Sequence, residues 1–366
     1  MRCIFTGGGT LGHTNPAIAV AEQVRKEDNG AEILFVVREN GKENEAIIKR
    51  GFEIKEIPSK GLSRSSNIMA GAQTAATAIR GILHCMKIIK SFQPDFIFGT
   101  GGYVSFAPLV AGTMLRIPTF VHESNSVPGL VTKITTKLGA TPLVNMEATK
   151  EHLKSKKTCH VVGMPTLPDF DTISKSEARR RLGIGEDKVY VISFGGSGGS
   201  SVMNDTVLEI MRKRNGGNRI LHLHATGEKY FDFARKKYPA LTEGKHGQKI
   251  VARIENMALH MSAADIVICR CGAATLSEIS SLGKAAILIP SPNVTNNHQY
   301  ENGKCLSNKS AAIMIEENLL TEILLNEKIN LLANSEYTRK TLEKNASRFK
   351  KGNAAKAIYS ILPKNG

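Results

Sequence analysis

Along this chain, short runs of β-branched and other apolar residues alternate with amphipathic stretches, a pattern that predicts βα units on parallel sheets. The predicted strands of the first half are Arg2–Thr6, Glu32–Val37, Phe96–Phe98 and Thr119–His122. Those of the second half are Tyr190–Phe194, Ile220–His224, Ile266–Cys269 and Ala286–Ile289. Several run into glycine, as in IFTGGGT, FIFGTGGY, VISFGGSGG and LHATG. A glycine turn at the carboxyl end of a parallel strand lets the backbone approach a ligand, and the helix behind it offers free N–H groups and a positive dipole end. Such a turn suits phosphate. One in each half predicts an α/β chain of two doubly wound, Rossmann-like domains facing across a cleft.

Gly163, Pro165 and Pro168 interrupt both periodicities within VVGMPTLPDFDT, so the domains are expected at 1–162 and 163–344. A basic C-terminal helix, Glu343 to Leu362 within about 345–366, is free to pack back on the first domain. The length of 366 residues exceeds what one core usually supports, and a hydrophobic content of 41% fills two. A formal net charge of +16 points to an anionic surface or ligand, beside plain solubility. Nucleic acid fits least, because aromatics are 5%, tryptophan is absent and no motif interleaves aromatic with basic residues.

No run reaches the roughly 18 apolar residues of a membrane span. The best candidate, Tyr103 to Val121, is broken by Pro108, Arg116 and Pro118, and Gly7 cuts off a secretory h-region. The expected compartment is the cytoplasm. Six scattered cysteines read as buried thiols, and Cys269-Arg-Cys271 fits no common zinc spacing. The segment Gly61 to Lys90 reads equally as a buried helix and as a surface that lies on anionic membrane.

Three readings of the first loop compete. Gly7-x-Gly9-x-x-Gly12 matches the dinucleotide fingerprint, with Glu39 placed for a ribose hydroxyl. Against a nicotinamide enzyme stands the second half, which carries a phosphate-type loop where a hydride acceptor's pocket is expected. A purely structural tight turn is the third reading.

Six motifs, taken together, resemble the MurG family of bacterial glycosyltransferases: GGTLGH (Gly8 to His13), GTGGYVSFAP (Gly99 to Pro108), HESNSVPG (His122 to Gly129), FGGSGGSSVMN (Phe194 to Asn204), RCGAATLSE (Arg270 to Glu278) and NHQYEN (Asn297 to Asn302). The likeness runs from Ile4 to about Glu316. Diacylglycerol glycosyltransferases share the second-half pattern, while the first-half motifs favour the MurG family. The resemblance implies a GT-B fold and inverting transfer of N-acetylglucosamine from UDP-N-acetylglucosamine, without metal or other cofactor. The implied acceptor is lipid I (undecaprenyl-diphospho-N-acetylmuramoyl-pentapeptide), giving lipid II for peptidoglycan. The implied location is peripheral, on an anionic membrane surface at the cytoplasmic face.

On that resemblance Gly8, Gly9, Thr10 and Gly12 cradle the acceptor's diphosphate, with Gly101, Gly102, Tyr103, His122 and Asn125 orienting the acceptor. Gly195, Gly196, Ser197, Gly199 and Asn204 hold the donor's diphosphate, and Arg270, Gly272, Ala273 and Thr275 complete that loop. Ile254 lines the uracil pocket, Glu278 takes the ribose hydroxyls, and His298, Gln299 and Asn302 read the sugar. His13 is the first choice as base, because imidazole titrates near neutrality, and Glu123 is the rival. Asp169-Phe-Asp171 reads as a turn or cap rather than a metal site, and His222-Leu-His224 lacks a third ligand, His224 reading as cleft lining. The sequence departs from the family at Leu167, where an arginine is usual, and at Ser124, Thr132, Gly198 and Ala285. A transferase with another lipid acceptor and a non-catalytic nucleotide-sugar-binding homologue are the remaining alternatives.

Overall fold

The computed structural model describes residues 1–59, 68–167, 173–196, 198–214, 219–294 and 297–364, with the backbone alone at residues 11 and 68–75. The expectations for Ser197, for Asp169 to Asp171 and for Gly61 to Asn67 therefore fall outside the described residues. The chain divides into two compact units, Met1–Leu167 with Lys351–Gly366, and Pro168–Lys350.

The first unit runs β1 (Arg2–Thr6), α1 (Leu11–Glu27), β2 (Glu32–Arg38), α2 (Asn44–Ile48), β3 (Glu53–Ile57), α3 (Ile68–Phe92), β4 (Phe96–Gly99), α4 (Gly102–Met114), β5 (Thr119–Glu123), α5 (Leu130–Leu138), β6 (Thr141–Val144) and β7 (His160–Val161). The second runs α6 (Lys175–Leu182), β8 (Val189–Phe194), α7 (Ser201–Lys213), β9 (Ile220–Ala225), α8 (Glu228–Lys237), α9 (Pro239–Thr242), β10 (Gln248–Val251), α10 (Met257–Ala263), β11 (Ile266–Cys269), α11 (Ala273–Leu282), β12 (Ala285–Leu288), α12 (His298–Ser307), β13 (Ile313–Met314), α13 (Glu322–Asn334) and α14 (Glu336–Ser347). A last helix, α15 (Ala354–Ile361), returns to the first unit. The sheets are parallel, ordered β3-β2-β1-β4-β5-β6-β7 and β10-β9-β8-β11-β12-β13. Strand order reverses between β1 and β4 and again between β8 and β11, and crevices for ligands open at such points.

Aromatic packing organises the first sheet. Phe5 pairs in register with Phe35 and Phe98, so the three rings leave the same face. Phe5 stacks on Phe35 at 5.5 Å between centroids and meets Phe96 edge-on at 6.1 Å, geometries that suit the ring quadrupole. Ala17, Ile18 and Val24 of α1 cover this face together with Ala355, Ile358 and Leu362 from the chain end. Ile4, Val36, Ile97 and Val121 line the opposite face beneath Cys85 and Ile89 of α3 and Leu109 of α4.

The predicted C-terminal helix is in fact two. Its first half ends at Ser347 within the second unit, and α15 begins at Ala354 beyond Gly352. The boundary between the units lies after Leu167, and the residue standing where the family carries arginine packs partly buried against the first core. We expect Ile358→Ala, a truncation at a fully buried site, to cost about 2–5 kcal/mol in urea-induced unfolding. Unchanged unfolding would show that α15 contributes nothing to the first unit.

Candidate active site

At the first reversal the loops after β1 and β4 touch. A β-carbon on Gly7 would stand 2.2 Å from Thr100 Oγ1 and 2.8 Å from the His13 carbonyl, so only glycine permits the approach. Thr100 Oγ1 donates to that carbonyl at 2.6 Å, and Thr100 O lies 2.9 Å from His13 Nδ1. A carbonyl only accepts, so Nδ1 carries the proton and Nε2 keeps its lone pair. The half-buried imidazole lies beside Gly102, whose β-carbon would be 3.3 Å from Nε2. Thr10 caps α1 without a side-chain bond, and its carbonyl accepts from His13 N and Thr14 N at 3.1 Å each.

One amide of this loop is already taken. Gly9 N–H donates to Glu43 Oε1 at 2.5 Å, and Arg38 grips the same carboxylate through Nε at 2.8 Å and Nη2 at 3.1 Å. Glu43 is 6% exposed, and the Arg38 guanidinium holds its carboxyl down at about 2. The sequence reading missed this internal anion, because Glu43 sits in a polar loop with no periodic or motif signal.

Glu123 closes a separate loop. Its Oε1 accepts from Asn125 N and Nδ2, both at 3.1 Å, and its Oε2 from Gly129 N at 2.9 Å and Thr132 Oγ1 at 2.6 Å. Four donors thus engage a carboxylate that is 4% exposed. The departure at Thr132 keeps a hydroxyl donor here. His122 is fully buried and its Nε2 donates to Gly163 O at 2.8 Å, so it braces the end of the sheet rather than meeting an acceptor.

In the second unit the loops after β8 and β9 touch, next to the reversal between β8 and β11. Gly199 adopts φ +72°, and a β-carbon there would lie 2.6 Å from Thr226 O. Ser200 caps α7 by accepting from Met203 N at 3.4 Å. Arg270, at the end of β11, donates to Ser200 Oγ at 2.5 Å, to Ile289 O and Pro290 O at 3.2 Å each, and to Glu317. Its role in this structure is to fasten the loop, not to reach outward from it. Gly195 and Gly196 precede the cap, and Gly272 opens α11 without a side-chain cap, followed by Ala273 and Thr275. Glu278 on α11 is half-buried, and burial pushes its carboxyl up to about 8.

Two asparagines expected at the donor lie beneath the surface. Asn204 is fully buried, donating to Thr226 O at 2.8 Å and facing His224 Nε2 at 3.0 Å through Oδ1. Asn302 is fully buried and donates to Cys271 O at 3.3 Å. His224 is likewise buried instead of lining a cleft, and Ser193 Oγ sits 2.7 Å from both its Nδ1 and His222 Nε2. Gln299 Oε1 accepts from Ser291 N at 2.9 Å, with His298 half-buried beside it on α12. Ile254, 5% exposed, meets one end of a cavity of about 690 Å³ that also touches Tyr190, Leu223 and His260. Cys269 and Cys271 are buried, and burial raises the Cys271 thiol to about 12.

Residues 3–141 match the glycosyltransferase family 28 N-terminal domain, and residues 190–358 match its C-terminal domain. The chain is 36% identical over 362 residues to the UDP-N-acetylglucosamine--N-acetylmuramyl-(pentapeptide) pyrophosphoryl-undecaprenol N-acetylglucosamine transferase of Acetivibrio thermocellus, covering 99% of this chain and 97% of that one. It is 35% identical to the transferase of the same name from Thermoanaerobacter sp., covering 99% of each. Among solved structures, Acinetobacter baumannii MurG superposes with a TM-score of 0.76 at 22% identity, covering 99% and 98% of the two chains. A UDP-GlcNAc 2-epimerase from Neisseria meningitidis, solved with UDP-GlcNAc, gives 0.68 at 16% identity over the full length of both. The fold is therefore of the GT-B type, two Rossmann-like domains on parallel sheets.

The Arg38–Glu43 pair makes a stability prediction with a definite sign. A carboxyl held near 2 when folded, against 4.5 ordinarily, stabilises the fold above pH 4.5 and loses that contribution as pH falls towards 2. Glu43→Gln is expected to lower stability at neutral pH by about 1–3 kcal/mol and to flatten the acid limb of the stability curve. An unchanged slope between pH 5 and 2.5, followed by circular dichroism, would exclude this pair as its source.

Proposed function

The chain belongs to the MurG family of N-acetylglucosamine transferases, and we propose that it moves N-acetylglucosamine from UDP-N-acetylglucosamine to lipid I, forming lipid II for peptidoglycan. The observation that carries the chemistry is His13, with Nδ1 pinned to a carbonyl and Nε2 free beside the amino end of α1. In this reading the muramyl 4-hydroxyl attacks the anomeric carbon while His13 Nε2 takes its proton. The bond from that carbon to the diphosphate oxygen breaks, its electron pair leaves with UDP, and the centre inverts. Glu123 shapes the acceptor loop, because its oxygens already serve four donors.

The acceptor's diphosphate is assigned to the Thr10–Gly12 end of α1 with Gly101 and Gly102, and Tyr103 and Asn125 border it. The donor's diphosphate is assigned to Gly195–Gly199, Gly272, Ala273 and Thr275, where the amino ends of α7 and α11 absorb charge on the leaving group without a metal. Glu278 accepts from the ribose hydroxyls, Ile254 meets uracil, and His298 and Gln299 read the sugar. This division gives the first unit the acceptor and the second the donor.

Attachment to the membrane is assigned to three helices packed side by side, α3, α4 and α5. They expose Ile79, Leu83, Met114, Leu130 and Leu138, with Arg80, Lys87, Arg116 and Lys137 exposed among them. Exposed apolar residues accompanied by exposed cations suit an anionic bilayer surface. Among the described residues no helix is long and apolar enough to cross a membrane. We therefore place the protein peripherally, at the cytoplasmic face.

Radiolabelled UDP-N-acetylglucosamine with lipid I should yield labelled lipid II. His13→Ala is expected to lower kcat at least ~100-fold with little change in the KM for the donor. No label in lipid II with the parent protein would end this reading. Glu278 adds a pH signature: below about 8 it holds a proton that ribose hydroxyls favour releasing, so donor affinity rises as pH climbs to about 8 and then levels. Calorimetry of Glu278→Gln should show a flat profile and affinity lower by roughly 10-fold. A flat profile in the parent would remove the ribose role.

A further inference from the structure

The acceptor named for the family carries its hydrocarbon directly on the diphosphate, so an apolar path must start where the acceptor loop ends. Tyr103 marks such a start. A β-carbon on Gly9 would stand 2.9 Å from Tyr103 Cε1, so one edge of this ring closes against the diphosphate loop. The same residue lines an apolar cavity of about 120 Å³ with Ala78, Phe106, Leu130, Val131 and Ile134. Ser59 and Thr77 also line it, and among the described residues none that does is charged. An apolar cavity of ~150 Å³ is enough to bind benzene, so this one accepts a five-carbon branched unit and excludes a sugar ring.

Where the cavity leads decides the occupant. Leu130 belongs to its wall and is 54% exposed, while Ala78 is followed on α3 by Ile79 at 58%. The cavity therefore opens between the diphosphate loop and the helices assigned to the bilayer. We infer that it receives the first isoprene unit of the lipid acceptor, next to the diphosphate, with the rest of the chain passing over Leu130 towards the membrane. This inference rests on the transferase reading above and gives the same acceptor site a hydrocarbon subsite. It also explains why an aromatic ring, rather than a polar side chain, borders the diphosphate loop.

The test uses two soluble acceptors with the same muramyl-pentapeptide diphosphate, one esterified to a ten-carbon isoprenoid and one to methyl. The parent enzyme should show a KM lower by at least ~10-fold for the isoprenoid acceptor, from apolar area removed from water. Ala78→Phe fills the cavity and should raise that KM by about 10-fold. The methyl acceptor and UDP-N-acetylglucosamine should keep their KM values. Leu130→Ser, at the exposed rim, should shift the isoprenoid KM in the same direction by a smaller factor. Equal KM values for the two acceptors in the parent, or equal losses on both in the variants, would overturn the subsite and leave the transferase intact. Loss of binding to phosphatidylglycerol vesicles with unchanged acceptor KM would assign the cavity to a bilayer acyl chain instead, and overturn it too. A parent that glycosylates neither acceptor yet binds the donor would withdraw the acceptor reading itself.

Discussion

The loop end of the first sheet depends on one close approach, the meeting of the loops after β1 and β4 at Gly7. With no side chain there, Thr100 reaches across both ways, its hydroxyl donating to the His13 carbonyl and its own carbonyl receiving Nδ1–H. Backbone and ring of one residue are thus fixed by one neighbour, and this is what gives a histidine after a glycine loop a defined tautomer. Parallel pairing of β1 with β4 sets up the meeting, since Thr6 pairs with Gly99 one residue before Thr100. Strand order, rather than any local motif, decides which loops can touch.

The second unit solves the same problem with buried polar groups. Ser193 bridges His222 and His224, and His224 meets Asn204, which in turn donates to Thr226 O beside Gly199. Burial drives His224 down to about 4 and His222 well below its ordinary value, so both rings are neutral and act as hydrogen-bonding spacers. Thr226 O accepts the side-chain amide of Asn204, so Asn204 presents Oδ1 to His224 Nε2–H, and Ser193 then donates to Nδ1. Buried polar chains are costly when partly satisfied, and this one fixes the start of α7 against the loop after β9.

Periodicity made the central strands legible, because residues buried on both faces form continuous apolar runs. Strands at or next to the sheet edges escaped it. β3 reads EIKEI with three exposed glutamate and lysine side chains, and β6 contains Pro142, which pairs with Val121 although proline argues against a strand. Glycines announced both loops, since their spacing follows from steric need. What the sequence did not disclose was depth. Asn204, Asn302 and His122 have the chemistry of ligands and stand in the right motifs, yet each is spent on a backbone carbonyl below the surface. Glu43 shows the converse, a residue in no motif that occupies an amide of the acceptor loop.

That occupation makes the two loops unequal, and the inequality fits their tasks. On the side proposed for the acceptor one amide is filled by a carboxylate whose charge Arg38 balances, which leaves a modest net attraction for a diphosphate. In the proposed transfer the acceptor's diphosphate keeps its charge, while His13 takes up the proton. In the second unit α7 and α11 follow adjacent strands β8 and β11, and Arg270 ties the end of β11 to the cap of α7. Each helix brings about half an elementary charge at its amino end, so together they supply about one. In the proposed reaction that offsets the charge a diphosphate gains as its bond to the sugar breaks. Fixed dipoles need no rearrangement as that charge develops, so stabilisation is concentrated on the diphosphate that departs rather than the one that stays.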